Sequence, residues 1–136
     1  MYKRQTYNRA KYLGSGNAEQ DEAIGITPGV QVFNSPRNMF VASADWQRGG
    51  WKVGVSSKYV GDRFIDTAGT SVAESFILTN AYAGVELGAL ADVLRGLDLT
   101  VTINNLTDER YLAGADGGSA FLGAPRTVTA ALTLDF

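Results

Sequence analysis

The sequence predicts an all-β chain built as an antiparallel meander of five or six strands. Apolar and polar residues alternate with a period of two, which is the period of a β-strand, in five separate segments. The connections between these segments are alternately short and long. Large aromatic residues stand near the ends of the segments, and small aliphatic residues lie between them.

The alternation defines the strands in chain order. The five clear segments are residues 40–46, 51–59, 77–87, 97–104 and 128–136. The last segment turns Val128, Ala130, Leu132, Leu134 and Phe136 to one face, and Thr129, Ala131, Thr133 and Asp135 to the other. A sixth strand is predicted within residues 2–12, but its Lys and Arg residues fall on both faces and leave its orientation open.

The connections divide into two classes. The letters QRGG, residues 47–50, predict a tight Gly-Gly hairpin. The spacing of Leu and Ala in residues 87–96 predicts one or two helical turns. Residues 13–37, 61–76 and 107–125 are predicted to be long loops rich in Gly, Asp and Ser. Short connections therefore lie at one end of the sheet and long ones at the other, which is typical of outer-membrane β-barrels.

Alternation alone is compatible with two environments for the apolar face. A soluble sandwich would bury this face in a core, and a membrane barrel would turn it to lipid. Trp46, Trp51 and Phe136 lie at the short-turn end, and Phe40 and Tyr59 lie at the long-loop end. Two aromatic bands of this kind favour the membrane interfaces over a soluble core.

Composition argues against several classes of function. The 136 residues include no His and no Cys, so the commonest general base and the thiolate nucleophile are both missing, and we expect no enzyme, catalytic residue or cofactor. The net charge of −2 gives no basic field for nucleic acid. Asp62, Asp66 and Glu74 share one loop, where we expect solvated carboxylates rather than a metal site.

Two stretches near the end of the sequence carry a more specific signal. They are NLTDERYL, residues 105–112, and FLGAPRTVTAALTLDF, residues 121–136. Together they resemble the C-terminus of TonB-dependent outer-membrane receptors. The matching residues are Asn105, Leu106, Asp108, Tyr111, Gly123, Pro125, Arg126 and Phe136. Thr107 departs from the family pattern, in which Phe is frequent at this position.

The resemblance implies that residues 1–136 are the C-terminal section of a 22-stranded barrel in the bacterial cell outer membrane. It implies that the chain is a fragment without the plug domain. The receptor would contact TonB only through the N-terminal part that this fragment lacks. The whole receptor would import a ferric siderophore or a similar scarce nutrient. Leu132, Leu134 and Phe136 resemble the signal read by the barrel-assembly machinery.

The remaining expectations concern partners and alternatives. Outer-membrane lipid is the expected partner of the apolar face. Arg37 and Arg126 each begin a strand, where pairing within the rim is expected rather than contact with an anionic ligand. The transported ligand and its contact residues are not predicted. Two alternatives stay open, a soluble β-sandwich binding module and a porin-like pore formed by several copies.

Overall fold

The computed structural model describes residues 2–116 and 119–135, and β-strands dominate it. The strands are β1 Tyr2–Tyr7, β2 Asn38–Arg48, β3 Trp51–Val60, β4 Arg63–Phe64, β5 Val72–Ala73, β6 Phe76–Glu86, β7 Leu97–Asn104, β8 Leu112–Asp116, β9 Ser119–Leu122 and β10 Thr127–Leu134. One short helix, α1, spans Ala18–Ala23, and single 3-10 turns span Leu87–Ala89 and Asp92–Leu94. No helix in the described residues is long and apolar enough to cross a membrane.

Six of the strands form one antiparallel sheet in the order β1-β2-β3-β6-β7-β10. Each strand pairs with its sequential neighbour in the sheet, so the predicted meander is confirmed and contains the sixth strand. The pairing also orients β1, because Gln5 lies opposite Phe40 and Arg4 lies opposite Val41. Gln5 and Tyr7 therefore share the face of Phe40, and Arg4 lies on the opposite face.

The register gathers the apolar side chains of five strands on one face. One row across the sheet consists of Trp46, Val53, Ala83, Val101 and Ala130. Many large side chains of this face are exposed, with Trp46 at 55% and Leu132 at 63% of their full accessible surface. A soluble sandwich would cover such a face with a second sheet. The other described sheets are two-stranded hairpins, β4-β5 and β8-β9, so this alternative is not favoured.

The two ends of the sheet differ as predicted. The β2-β3 hairpin closes at Gly49 and Gly50, whose φ angles are both positive, 59° and 81°. The connection from β6 to β7 contains the predicted helical turns as two 3-10 turns. The three long connections all leave the opposite end, which we call the loop end.

The long loops contain more regular structure than the sequence predicts. Helix α1 begins after Asn17, whose side chain accepts hydrogen bonds from the backbone of Glu19 and Gln20. The hairpins β4-β5 and β8-β9 also lie in segments expected to be loops. Strands of two to five residues give too few alternations for a periodic signal, so these segments do not stand out in the sequence.

Candidate functional site

Asn105 is the central residue of the motif at the loop end. It follows β7 directly, has a φ of 52°, and is buried. Its Oδ1 accepts a hydrogen bond from the Glu109 amide at 2.8 Å, and its Nδ2 donates to the carbonyl oxygens of Glu109 at 2.9 Å and Ala124 at 3.0 Å. Its own amide donates to Oδ1 of Asn80 in β6 at 2.9 Å. One side chain thus ties the start of the last loop to its end.

Asp108 and Arg126 reinforce the same closure. Asp108 also has a positive φ, 56°, and its Oδ1 accepts a hydrogen bond from the Arg126 amide at 2.9 Å. The guanidinium of Arg126 donates to the Leu106 carbonyl at 3.5 Å. The Leu106 amide donates to the Thr79 carbonyl at 2.7 Å. Arg126 therefore makes its hydrogen bonds to residues of the same loop.

Tyr111 and Gly123 form the third contact of the motif. The Tyr111 ring occupies the space that a Cβ at position 123 would need, so only glycine fits there. The Gly123 amide donates to the Tyr111 carbonyl at 2.8 Å. The ring also packs on Phe76, with 4.4 Å between the ring centroids. We use the name motif cluster for the residues that this region brings together: Asn105, Leu106, Asp108, Tyr111, Gly123, Pro125 and Arg126.

Leu132 and Leu134, two of the three residues predicted as an assembly signal, lie at the other end of the last strand. Leu132 lies opposite Leu99, and Leu134 lies opposite Leu97, so both belong to the apolar face. Both are exposed. Phe136 lies outside the described residues. Their role in assembly stays a prediction.

Asn34 connects the three long loops, and sequence reasoning did not identify it. Its φ is 56°, a conformation that Asn tolerates better than most residues. Its backbone amide donates to the Phe64 carbonyl at 2.8 Å. Its side chain bonds both backbone groups of Ala115, accepting from the amide at 3.1 Å and donating to the carbonyl. The Asn-Ser-Pro letters signal a turn, but they carry no information about a partner 81 residues away.

Arg63 is a second connection between loops. Its side chain donates to the Leu112 carbonyl, and its guanidinium lies over the Phe76 ring, 5.5 Å from the centroid. The residue is only 4% exposed. Burial lowers the pKa of Arg63, because the charged form loses hydration. Nη1 has no hydrogen-bond partner among the described residues.

The polar face of the sheet carries two organised contacts. Tyr82 donates its hydroxyl to Oδ1 of Asp45 at 2.9 Å, and its ring crosses the backbone at Gly54. Lys52 donates to both carboxylate oxygens of Asp98 at 2.7 Å. The Lys52 side chain passes over Gly84, which lies between them in β6. A Cβ at Gly54 would overlap the Tyr82 ring, so glycine is required there, whereas a Cβ at Gly84 would force the flexible Lys52 side chain to shift.

The loop end also holds a concave site. A pocket of about 390 Å³ lies between the first two long loops, and its lining includes Gln31, Arg37, Tyr59, Asp62 and Arg63.

Two acidic residues of the second long loop, Asp62 and Asp66, act as acceptors for backbone amides. Asp62 accepts from the Ser75 amide at 2.6 Å, and Asp66 accepts from the Thr70 and Ser71 amides at 2.9 and 2.8 Å. In the described part of the chain, no group of three or more acidic, His or Cys side chains converges to hold a metal ion.

The family model described as "TonB dependent receptor-like, beta-barrel" matches residues 3–106. The chain belongs to the TonB-dependent receptor family. This confirms the family suggested by the motif residues, and it places the chain in the bacterial outer membrane.

Curated relatives and solved structures agree with this assignment. The chain is 32% identical over 133 residues to the ferrioxamine receptor of Yersinia enterocolitica, covering 96% of this chain and 18% of that protein. It is 29% identical over 137 residues to the ferrioxamine B receptor of Salmonella typhimurium strain SL1344, with the same coverage of 96% and 18%. The chain thus spans less than a fifth of the length of these relatives.

The structural neighbours establish the fold. The siderophore receptor PiuA from Acinetobacter baumannii superimposes with a TM-score of 0.71 at 24% identity, covering 91% of this chain and 17% of that chain. Unliganded ferric citrate transporter FecA gives a TM-score of 0.67 at 24% identity, covering 80% of this chain and 18% of that chain. The antiparallel sheet described above is therefore a section of this barrel fold.

Proposed function

We propose that residues 1–136 are the C-terminal part of the barrel domain of a TonB-dependent receptor. The complete protein would import a ferric siderophore, or a similar scarce nutrient, across the outer membrane. The main support for this proposal is the difference between the two faces of the sheet. An exposed apolar face and an ordered polar face suit a wall between lipid and lumen. The names of the curated relatives make ferrioxamine the first candidate ligand.

Each region of the chain has a role in this proposal. The sheet supplies barrel wall that contacts outer-membrane lipid through its apolar face. The motif cluster closes the last long loop, so that β10 enters the sheet in register. Leu132, Leu134 and Phe136 supply the signal for the barrel-assembly machinery. The plug domain and the TonB contact would belong to an N-terminal part beyond these residues.

We also propose that this region performs no catalysis and binds neither a cofactor nor nucleic acid. The matching relatives are named as receptors, and the chain contains neither His nor Cys. A net charge of −2 supplies no general attraction for a polyanion.

Uptake of radioiron-labelled ferrioxamine B tests the proposed function. A strain lacking the complete gene should lose TonB-dependent uptake of this complex under iron limitation, and a plasmid copy should restore it. Ferric citrate uptake in the same strains serves as the ligand control. Unchanged ferrioxamine uptake in the deletion strain would show that the ligand assignment is wrong. Uptake that persists without TonB would contradict the proposed energy coupling.

Charge substitution tests the proposed lipid contact. Val55 lies on the apolar face, and its neighbour Ser56 lies on the polar face of the same strand. Val55→Arg should lower the free energy of unfolding by about 2–4 kcal/mol if the side chain enters hydrocarbon. Ser56→Arg is the matched control and should have the smaller effect. Equal effects in vesicle-embedded protein would contradict lipid contact at this face.

A further inference from the structure

A pocket in the first long loop combines an apolar wall with negative charge. Its volume is about 550 Å³. Its apolar surface comes from Leu13, Ala18, Ile26, Pro28 and Ala68, the last of which belongs to the second long loop. The charged residues that line it are both acidic, Asp21 and Glu22. In the part of the chain that the structure describes, neither of them forms an ion pair. The pocket therefore offers a cation site that the described residues do not fill.

Asp21 places one carboxylate oxygen in this apolar wall. The residue lies in α1 and is only 5% exposed. Its Oδ1 accepts a hydrogen bond from the Ser15 amide at 2.7 Å. Its Oδ2 lies near the Pro28 ring, since a Cβ added at Gly14 would be 2.7 Å from Oδ2 and 2.9 Å from Pro28 Cγ. Oδ2 receives no hydrogen bond from the described residues, yet it is not enclosed, because within residues 2–116 and 119–135 the fully buried polar side-chain atoms all have partners except Nη1 of Arg63. An unused acceptor therefore remains open to the pocket.

We propose that this pocket binds a small solute through a protonated primary amine on an aliphatic chain. The ammonium group donates to Oδ2 of Asp21, and the chain packs against the apolar wall. A carboxylate in apolar surroundings is costly without a partner cation, so the bound ammonium relieves part of that cost. Leu13 lines the pocket and is 93% exposed, and it gains an apolar contact when the chain binds.

The geometry of the pocket distinguishes this amine from other cations. A guanidinium prefers to engage both oxygens of a carboxylate, but the Ser15 amide already occupies Oδ1 of Asp21. A quaternary ammonium is bound by aromatic faces, and none of the described lining residues is aromatic. A calcium ion needs about six or more oxygen ligands, and no group of three or more acidic, His or Cys side chains converges among the described residues. A primary ammonium needs only the single free oxygen that this pocket offers.

The size of the pocket favours a solute over a lysine side chain of another protein. Its volume of about 550 Å³ falls within the range of about 300–1,000 Å³ that is typical of small-molecule sites. One lysine side chain would leave much of this space empty. Access to the pocket from outside the cell rests on the proposed function, because that proposal turns the loop end outward. The binding itself depends only on the loops and can be measured on purified protein.

The test is a fluorine NMR titration of the intact receptor in neutral detergent micelles. The probe is terminally trifluorinated butylammonium, whose signal broadens when it binds, and unlabelled butylammonium, ethylammonium and butanol compete with it. Asp21→Asn removes the charge and keeps an oxygen for the Ser15 amide. Glu19→Gln is the matched control, because it removes one charge from an exposed position of the same helix that does not line the pocket. Far-UV circular dichroism verifies that both variants keep their strands.

We expect Asp21→Asn to weaken probe binding by at least about ten-fold, because a charged hydrogen-bond acceptor is lost. Glu19→Gln should stay within about two-fold of the wild type, since solvent screens its exposed charge. Butylammonium should compete about ten-fold better than ethylammonium, because its additional methylene groups leave water. Equal affinity of Asp21→Asn and wild type, or an equal loss in Glu19→Gln, would overturn the proposal. Equal competition by butanol and butylammonium would overturn it from the wild-type protein alone, whatever the variants do.

A second arm separates the two sources of such an amine. Nα-acetyl-lysine methylamide carries the same ammonium group and aliphatic chain on a peptide unit. Competition no stronger than that of butylammonium supports a solute as the ligand. Stronger competition would assign the pocket to a lysine of a protein partner and would overturn the solute. Ferrioxamine uptake is measured separately in cells, so a failure of the transport proposal is distinguishable from a failure of this one.

Discussion

The two ends of the sheet are closed by different kinds of interaction. At the short-turn end the chain turns through Gly49 and Gly50, and the Glu86 amide donates to the Gly50 carbonyl at 2.8 Å. At the loop end the closures depend on side chains, chiefly Asn34 and Asn105. Backbone turns require only permissive residues at the turn itself, whereas the loops require particular side chains with distant partners. The loop end is therefore the part of the wall most sensitive to single polar substitutions.

Asn105→Ala should give the largest effect among these comparisons. It leaves the Glu109 amide and two carbonyl groups without their partner, and it places Ala at a φ of 52°. We expect a loss of about 3 kcal/mol in the free energy of unfolding, because buried polar groups that lose their partners keep the full cost of desolvation. Urea unfolding in detergent micelles, followed by tryptophan fluorescence, measures it.

Two control variants identify the cause of the stability loss expected for Asn105→Ala. Asn104→Ala removes an exposed side chain with a single 3.3 Å hydrogen bond to Thr127, so it should change little. Asn105→Gly restores the permitted backbone angle without the hydrogen bonds, and it separates strain from lost bonding. If Asn105→Ala and Asn104→Ala cost the same, the motif cluster does not hold the loop end together.

Gly50→Ala tests how much the backbone turn at the short-turn end contributes to stability. Gly50 has a φ of 81°, and an added Cβ would lie 2.7 Å from the Ala89 Cβ. We expect a loss of about 1–2 kcal/mol from strain at this position, measured by the same urea unfolding. Gly49→Asn is the control, because a Cβ there meets nothing within 4 Å and Asn is favoured in this turn. A larger loss from Gly49→Asn than from Gly50→Ala would contradict this account of the turn.

The same contrast explains how far the sequence predicts the fold. The segment predicted at residues 97–104 is the observed Leu97–Asn104, and the Gly-Gly hairpin closes where expected. These features follow from local rules, since a shift of one residue would turn every side chain to the wrong face. The hairpins β4-β5 and β8-β9 escaped prediction because they are short and depend on contacts across loops.

The residues of the candidate site also divide into those that the sequence predicts and those that it does not. Asn105 and Gly123 were identified through a motif resemblance, and the structure places them in one cluster. Asn34 and Arg63 were missed, because their partners Ala115 and Leu112 lie far away in sequence. In the sequence, Gly54 is an ordinary position on the polar face. Only the cross-strand register shows that the Tyr82 ring occupies the space that a side chain at position 54 would need.

Asp66 predicts a local pH dependence at the loop end. Hydrogen bonds from the Thr70 hydroxyl, and then from backbone amides of the same loop, lower the pKa of Asp66 to about 2. A carboxyl with a lowered pKa stabilises the folded loop above its ordinary pKa of 3.8, and this contribution is lost as the pH falls through about 2. The amide proton shifts of Thr70 and Ser71 should therefore move upfield across this range. Asp66→Asn is the control, and equal titration in both proteins would assign the shift to another group.

The smallest effect is expected for Arg95→Ala at the short-turn end. Arg95 and Asp92 approach within 2.8 Å, but their side chains are 81% and 89% exposed. Lys52 and Asp98 form an ion pair of almost the same length, 2.7 Å, with exposures of only 32% and 23%. Solvent screens the first pair more strongly, so Arg95→Ala should change the unfolding free energy by less than about 0.5 kcal/mol. Lys52→Ala should cost more, because it leaves the half-buried Asp98 carboxylate with the Thr100 hydroxyl as its remaining side-chain donor. Equal costs in urea unfolding would mean that burial does not separate these two contacts.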